Sequence, residues 1–263
     1  MRTKLSRSPC LALLLGLLIF GVGCATARSR QTTADGTVIH TLRRTYNNVH
    51  VIVRGDHAVM IDGGLESDAP ALARDLRRID VDPSQLRAII VTHGHADHAG
   101  GAGWFQRQFG TKIVVGAGDV ALVEGGHNDA LCPTDATARR QLPKHQSATF
   151  TPLRADVTVA QAMALEPIAG IAGAIVPVAG HTAGSLVVTL DDVVLVGDLF
   201  RGEIVGHSAT THFYMCDLED NRADVRNLLD TLAPTARRFF TGHFGPIGRA
   251  AVERFASAGP ASR

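Results

Sequence analysis

Six residues constrain this chain more than any other feature. His93-Gly94-His95-Ala96-Asp97-His98 carries three imidazoles and a carboxylate directly behind Arg87–Val91, a short apolar run typical of a buried strand. All four side chains ligate borderline cations when the histidines are neutral and the aspartate is ionised. A chain leaving a buried strand can turn alternate side chains into one cavity, and Gly94 and Ala96 keep such a turn compact. A merely solvated loop does not need three histidines and an aspartate in this order. His98 then opens a helix whose small residues Ala99, Gly100 and Gly101 allow close approach. The fold must therefore end a buried strand at a metal-capable pocket.

The rest of the chain alternates strands and helices around that point. Val38–Arg43, Val49–Arg54 and Ala58–Asp62 are β-rich runs separated by turn-forming breaks. Asp68–Ile79 has the spacing of an amphipathic helix, with Ala69, Leu72, Leu76 and Ile79 on one face. A helix over Gly103–Phe109, a strand over Lys112–Val115 and a helix over Ala117–Glu124 follow. Gly126–Thr149 is polar, contains Pro133 and Pro143, and reads as an insertion or lid. Strands return at Ala174–Val178, Ser185–Leu190, Val193–Val196 and Arg237–Thr241, with helices over Asn221–Leu232 and Arg249–Ala256. No repeat divides this stretch, and 45% hydrophobic residues suffice for a sizeable core. One mixed α/β domain over 37–263 is expected, behind a linker at 25–36.

HGHADH resembles the HxHxDH signature of the metallo-β-lactamase-fold hydrolases. The remaining ligand motifs of that family follow in order. His181 lies in Gly180-His181-Thr182-Ala183-Gly184-Ser185, Asp198 follows a strand as Gly197-Asp198, and His243 follows a strand as Gly242-His243. The resemblance implies an αββα sandwich of two mixed β-sheets flanked by helices. It also implies two metals, one on His93, His95 and His181, the other on Asp97, His98 and His243, with Asp198 bridging. Ligation without cysteine suits zinc, with iron and manganese as alternatives. Two such ions can share a water and present it as hydroxide near neutral pH. Asp97 can orient that hydroxide and accept its proton, which makes it the expected catalytic residue.

On this reading the chain is a dinuclear zinc hydrolase of an ester, thioester, lactone or lactam. A metallo-β-lactamase with an all-histidine second site is the narrower alternative, and a catalytically silent metal-binding protein of the same fold is another. His207, His212 and Tyr214 lie where the family places substrate-facing loops. Asp62 either orients a ligand histidine or serves only the turn before Gly63 and Gly64. His127 and His145 in the polar insertion carry no expected role.

The first residues have a composition of their own. Arg2, Lys4 and Arg7 precede an apolar run of 12 residues, Leu11–Val22. As a helix this run rises roughly 18 Å, too short for a hydrocarbon core of about 30 Å, so residues 1–24 read as a signal peptide. Gly23-Cys24 resembles a lipoprotein processing site, while Ala25-Thr26-Ala27 suits ordinary signal peptidase. Either route exports the protein to the periplasm, the first with a lipid anchor on Cys24. Without Arg2, Lys4 and Arg7 there remain 23 basic and 25 acidic side chains, a net charge of −2. That balance speaks against a nucleic-acid partner and for a small-molecule substrate. After export, Cys132 and Cys216 are left either to pair or to stay separate buried thiols.

Overall fold

The computed structural model describes residues 28–258, so the expected leader, with Cys24 and Ala27, lies outside the described residues. Antiparallel strands β1 (Arg28–Thr32), β2 (Val38–Arg44), β3 (Asn47–Arg54) and β4 (His57–Ile61) come first. Helix α1 (Ala69–Arg77) leads to β5 (Ala88–Ile90), and helix α2 (Ala96–Phe109) to β6 (Lys112–Gly116). Helices α3 (Val120–Gly125) and α4 (Ala136–Gln146) lead to β7 (Val157–Val159). Strands β4 to β7 pair in parallel and complete a seven-stranded sheet in chain order.

The second half repeats the plan with a shorter sheet. After β8 (Met163–Ala164) and α5 (Glu166–Ala169), strands β9 (Ala174–Pro177), β10 (Leu186–Leu190) and β11 (Val193–Gly197) form an antiparallel meander. A ribbon of β12 (Arg201–Gly202) and β13 (Ala209–Thr210) and helix α6 (Leu218–Asn227) intervene. Strand β14 (Arg238–Thr241) then returns parallel to β11, followed by β15 (Ile247–Gly248) and helix α7 (Arg249–Ser257). The sheet order is β15-β14-β11-β10-β9-β8.

Period-two alternation sorts the strand residues into layers. Ile61, Ile90 and Val114 from the first sheet meet Val188, Leu195 and Phe240 from the second, and this contact is the central core. On the far face of the first sheet, Met60, Ile89 and Ile113 cover Leu72 and Leu76 of α1 and Phe105 of α2. On the far face of the second, Val187, Val194 and Phe239 cover Val225 of α6 and Val252 and Phe255 of α7. The expected αββα sandwich is the fold.

Several boundaries differ from the sequence reading, each for a physical reason. Residues 28–32, inside the expected linker, form β1 because Arg28 joins Arg44 and Arg78 around the fully buried carboxylate of Asp75. The polar insertion at 126–149 contains α4, capped by Asp135, whose side chain accepts from the Ala138 N–H at 2.7 Å. Pro143 lies inside this helix and obscures it in the sequence, because a proline there removes the N–H that would bond the carbonyl four residues back. The helix expected to open at His98 and the one expected over Gly103–Phe109 are one continuous helix α2 that starts at Ala96, so its first turn holds Asp97 and His98. No described helix is long and apolar enough to cross a membrane.

Candidate metal centre

All seven expected ligands converge where strands of both sheets end. His93 and His95 leave β5, and Asp97 and His98 begin α2. His181 lies in the turn between β9 and β10, Asp198 follows β11, and His243 follows β14. Two groups of ligand atoms result, His93 with His95 and His181, and Asp97 with His98 and His243. Asp198 joins them. Its Oδ2 lies 3.8 Å from His93 Nε2 and 3.9 Å from His181 Nε2, and also 3.3 Å from His98 Nε2 and 3.2 Å from His243 Nε2. Donors at about 2.1 Å from a tetrahedral ion stand about 3.4 Å apart, so both groups have the right aperture.

The outer nitrogen of the ligand rings shows which atom faces inward. Asp62 Oδ2 accepts from the Thr92 hydroxyl at 2.9 Å and from His98 Nδ1–H at 2.8 Å. The Thr92 hydroxyl, its proton given to Asp62, accepts in turn from His93 Nδ1–H at 3.1 Å. His243 Nδ1–H donates to the Tyr46 carbonyl at 2.9 Å, and His95 Nε2–H to Asp129 Oδ1 at 2.7 Å. A proton on each of these four outer nitrogens leaves a lone pair on the inner one, as metal ligation requires, while His181 Nδ1 is buried without a partner. His98 Nε2 and His243 Nε2 then face each other at 3.4 Å, which is repulsive without a proton or a cation between them. His93 Nε2 and Asp198 Oδ1 are buried with no hydrogen-bond partner. Metal ions fit this donor set.

The electrostatics agree. Burial pushes the Asp198 and Asp97 carboxyls up, but adjacent histidines outweigh it, and both stay below the ordinary carboxylate value. Burial pulls His98 and His243 down, yet Asp198 and Asp97 outweigh it and raise both. Burial dominates at His93 and His181, which are held well below the ordinary imidazole value and stay neutral.

Glycines let the backbone come close enough. A Cβ on Gly101 would stand 1.9 Å from the Gly63 carbonyl oxygen, so α2 rests directly on the Asp62-Gly63-Gly64 turn. That contact sets Asp62 beside His98, and Asp62 accepts a left-handed φ of 64° there. A Cβ on Gly242 would stand 2.2 Å from Asp198 Oδ1 and fill the space beside the ligands.

Above the donors lies a cavity of about 340 Å³. His95, Asp97, Asp198 and His243 form its floor, and Tyr46, Leu131, Phe213 and Phe244 supply much of the wall. Two of the three expected substrate-facing residues belong here. Tyr214 lines the cavity, its hydroxyl 2.8 Å from His145 Nδ1, and His212 lines it with Nε2 3.0 Å from Asp198 Oδ2. His207 does not; it is exposed on the loop between β12 and β13, because that ribbon carries the loop tip into solvent. His145, given no role from sequence, is part of the wall because α4 folds over the site. Cys132 and Cys216 are disulfide-bonded, Cα atoms 4.8 Å apart, and tie the segment before α4 to the one bearing His212 and Tyr214.

Sequence reasoning also missed Asp119, a fully buried carboxylate after β6. It accepts from the Gly94 N–H at 2.7 Å, the Thr182 hydroxyl at 2.7 Å and the Gly184 N–H at 2.8 Å. It thereby pins the turn of His93 and His95 to the turn of His181. Its only sequence signal is an aspartate behind a parallel strand.

The family model for the metallo-beta-lactamase superfamily matches residues 42–243. A beta-lactamase-like protein 2 homolog of Drosophila melanogaster is 26% identical over 209 residues, covering 77% of this chain and 61% of the relative's length. Among solved structures, the HARLDQ-motif metallo-beta-lactamase of Cronobacter sakazakii superposes with a TM-score of 0.62 at 17% identity, over 83% of this chain and 87% of that one. A metallo-beta-lactamase family protein of Thermus thermophilus gives 0.61 at 21% identity, over 85% and 79%. BJP-1, a subclass B3 metallo-beta-lactamase of Bradyrhizobium japonicum, gives 0.59 at 18% identity, over 83% and 86%. With its family motifs gathered into a single donor cluster and the family model spanning most of its length, this chain belongs to the metallo-beta-lactamase superfamily.

Proposed function

We propose that this chain is an exported, dinuclear metal-dependent hydrolase, zinc being the ion best suited to its donors, acting on a small ester, thioester, lactone or lactam. The observation that carries the reading is the sharing of Asp198 Oδ2 by two complete donor groups at the floor of a largely apolar cavity. Two divalent ions held there would lower the pKa of a shared water and polarise the scissile carbonyl. Asp97, ionised and facing the cavity, takes the proton of the attacking water. Tyr46, Leu131, Phe213 and Phe244 hold the apolar part of the substrate and exclude bulk water. Export is supported by the basic, then apolar, N-terminus, and by a disulfide of the kind that persists in oxidising compartments.

Elemental analysis of protein purified without added metal, combined with a hydrolysis panel of nitrocefin, acyl lactones, thioesters and aryl esters, tests the proposal. About two zinc ions per chain and chelator-sensitive turnover of one class are expected. Two ions without turnover of any class would instead support the silent metal-binding alternative, and no bound ion would sink the reading.

A further inference from the structure

His212 stands outside the seven family ligands but is built like one of them. It follows β13, is only 4% exposed, and reaches the cluster from the cavity side. Its Nδ1 lies 3.2 Å from the Tyr214 carbonyl oxygen. His243 Nδ1–H likewise faces a carbonyl, that of Tyr46, whereas His212 Nδ1 has the Tyr214 N–H at 3.2 Å as well as the Tyr214 carbonyl. The Nε2 of His212 is buried, has no hydrogen bond of ordinary geometry, and lies 3.0 Å from Asp198 Oδ2. Together with His181 and Asp198 it forms a group whose ligand atoms all lie within 4.8 Å of one another.

We propose that His212 is an eighth protein ligand, adding Nε2 to the ion held by His93, His95, His181 and Asp198. With the proton of His212 on Nδ1, the Nε2 lone pair faces a carboxylate oxygen at 3.0 Å, an arrangement that a cation between them relieves. The spacing has a coordination meaning. Adjacent donors at about 2.1 Å stand about 3.0 Å apart at the right angles of a five- or six-coordinate ion, and about 3.4 Å apart in a tetrahedron. The two sites are therefore unequal. The first has four imidazoles and a carboxylate oxygen, enough to fill a five-coordinate shell, which zinc and cobalt both accept. The second has two imidazoles and two carboxylates, which leaves it the more open to water and substrate.

This inference rests on the two-ion reading, and the experiment separates the two. Wild type and His212→Ala are each titrated with Co²⁺, recording ions bound and the visible ligand-field spectrum. With the disulfide and far-ultraviolet circular dichroism unchanged, His212→Ala should bind one of its two ions at least about tenfold more weakly, as expected for a lost ligand. Its bands should intensify as the coordination number falls, and added imidazole should return the wild-type spectrum. X-ray absorption of the unaltered, fully loaded protein gives a second readout that needs no variant: six imidazoles shared by two ions rather than five. A spectrum and affinities identical to wild type, or five imidazoles, would overturn the proposal. The Tyr214 N–H also lies 3.2 Å from His212 Nδ1, so that outcome would make Nδ1 the acceptor and Nε2–H a donor to Asp198. A wild-type protein that binds no Co²⁺ would sink the two-ion reading along with it.

Discussion

Asp119→Asn should loosen the first donor group without touching a ligand. Oδ2 of Asp119 accepts from Gly94 N–H and the Thr182 hydroxyl, and Oδ1 accepts from Gly184 N–H. An asparagine has the same shape but a single acceptor oxygen, so its amide must face at least one of these donors. Placed to keep Gly94 and Thr182, it sets NH2 against the Gly184 N–H. One hydrogen bond to a charged group is lost and one buried donor is stranded, together about 3 kcal/mol. For a domain of this size that corresponds to a fall in Tm of roughly 6–12 °C. Because Gly94 lies between His93 and His95, and Thr182 follows His181, the affinity of the first ion should fall by about 10- to 100-fold, the usual range when a partner of a ligand is removed. Asp119→Ala strands all three donors and should be more severe. Calorimetry with and without chelator, and a competitive zinc titration, provide the measurements. If Asp119→Asn melted within about 2 °C of wild type and bound its first ion equally well, the carboxylate would not be what joins the two turns.

Three further outcomes follow from particular contacts. The Cys132–Cys216 disulfide spans a sequence separation of 84, for which chain entropy gives about 4.5 kcal/mol; Cys132→Ser with Cys216→Ser should therefore melt well below wild type, and equal melting would contradict this. Burial lowers His50 to about 4, so as pH falls the unfolded chain, with its ordinary value near 6.5, takes up a proton first. Stability from this group is thus full above about pH 7 and lost between about 6.5 and 4, by about 2 kcal/mol from pH 7.5 to 5.0; denaturant unfolding at both pH values should show His50→Gln lacking that loss, and parallel curves would refute it. Asp97→Asn keeps an acceptor oxygen but loses charge and basicity, so steady-state kinetics on the substrate identified should show kcat falling more than KM changes, with the second ion weakened; undiminished kcat with two ions would remove Asp97 from the proton transfer.

The seven candidate donors were named in the sequence through the resemblance of HGHADH and of the motifs around His181, Asp198 and His243 to those of the family, and the predicted strand ends put those motifs in a consistent setting. The central strands were legible as short, β-branched apolar runs bounded by turn residues: Ile89 and Ile90, or Val194 and Leu195, are adjacent and bury opposite faces of one strand. What escaped depends on contacts between distant positions. Asp119 meets partners 25, 63 and 65 residues away, and nothing local distinguishes it from an aspartate ending any turn. Helix α4 carries Pro143 and few apolar residues because it covers a cavity rather than a core. His145 and Asp129 acquire their places only through that covering. Strand β1 is invisible because its residues Arg28, Ser29 and Arg30 are exposed; it is held by its backbone pairing with β2 and by polar contacts such as Arg28 with Asp75, not by apolar alternation.

The charge balance of the centre explains why this fold buries so many titratable groups together. Asp62, Asp97 and Asp198 bring three carboxylates into contact with the ligand imidazoles, and Asp62 and Asp198 are almost fully buried. Isolated carboxylates in such a setting would shift strongly toward the neutral form. Here the imidazoles hold both carboxyls below their ordinary value, His212, His243 and His98 acting on Asp198 and His98 and His243 on Asp97, and His98 and His243 are themselves raised in return. Protons therefore occupy the positions where the geometry suits cations. His93 and His181 are instead kept neutral by burial, with lone pairs already free. The second donor group must exchange protons for its ion, whereas His93 and His181 of the first already present free lone pairs.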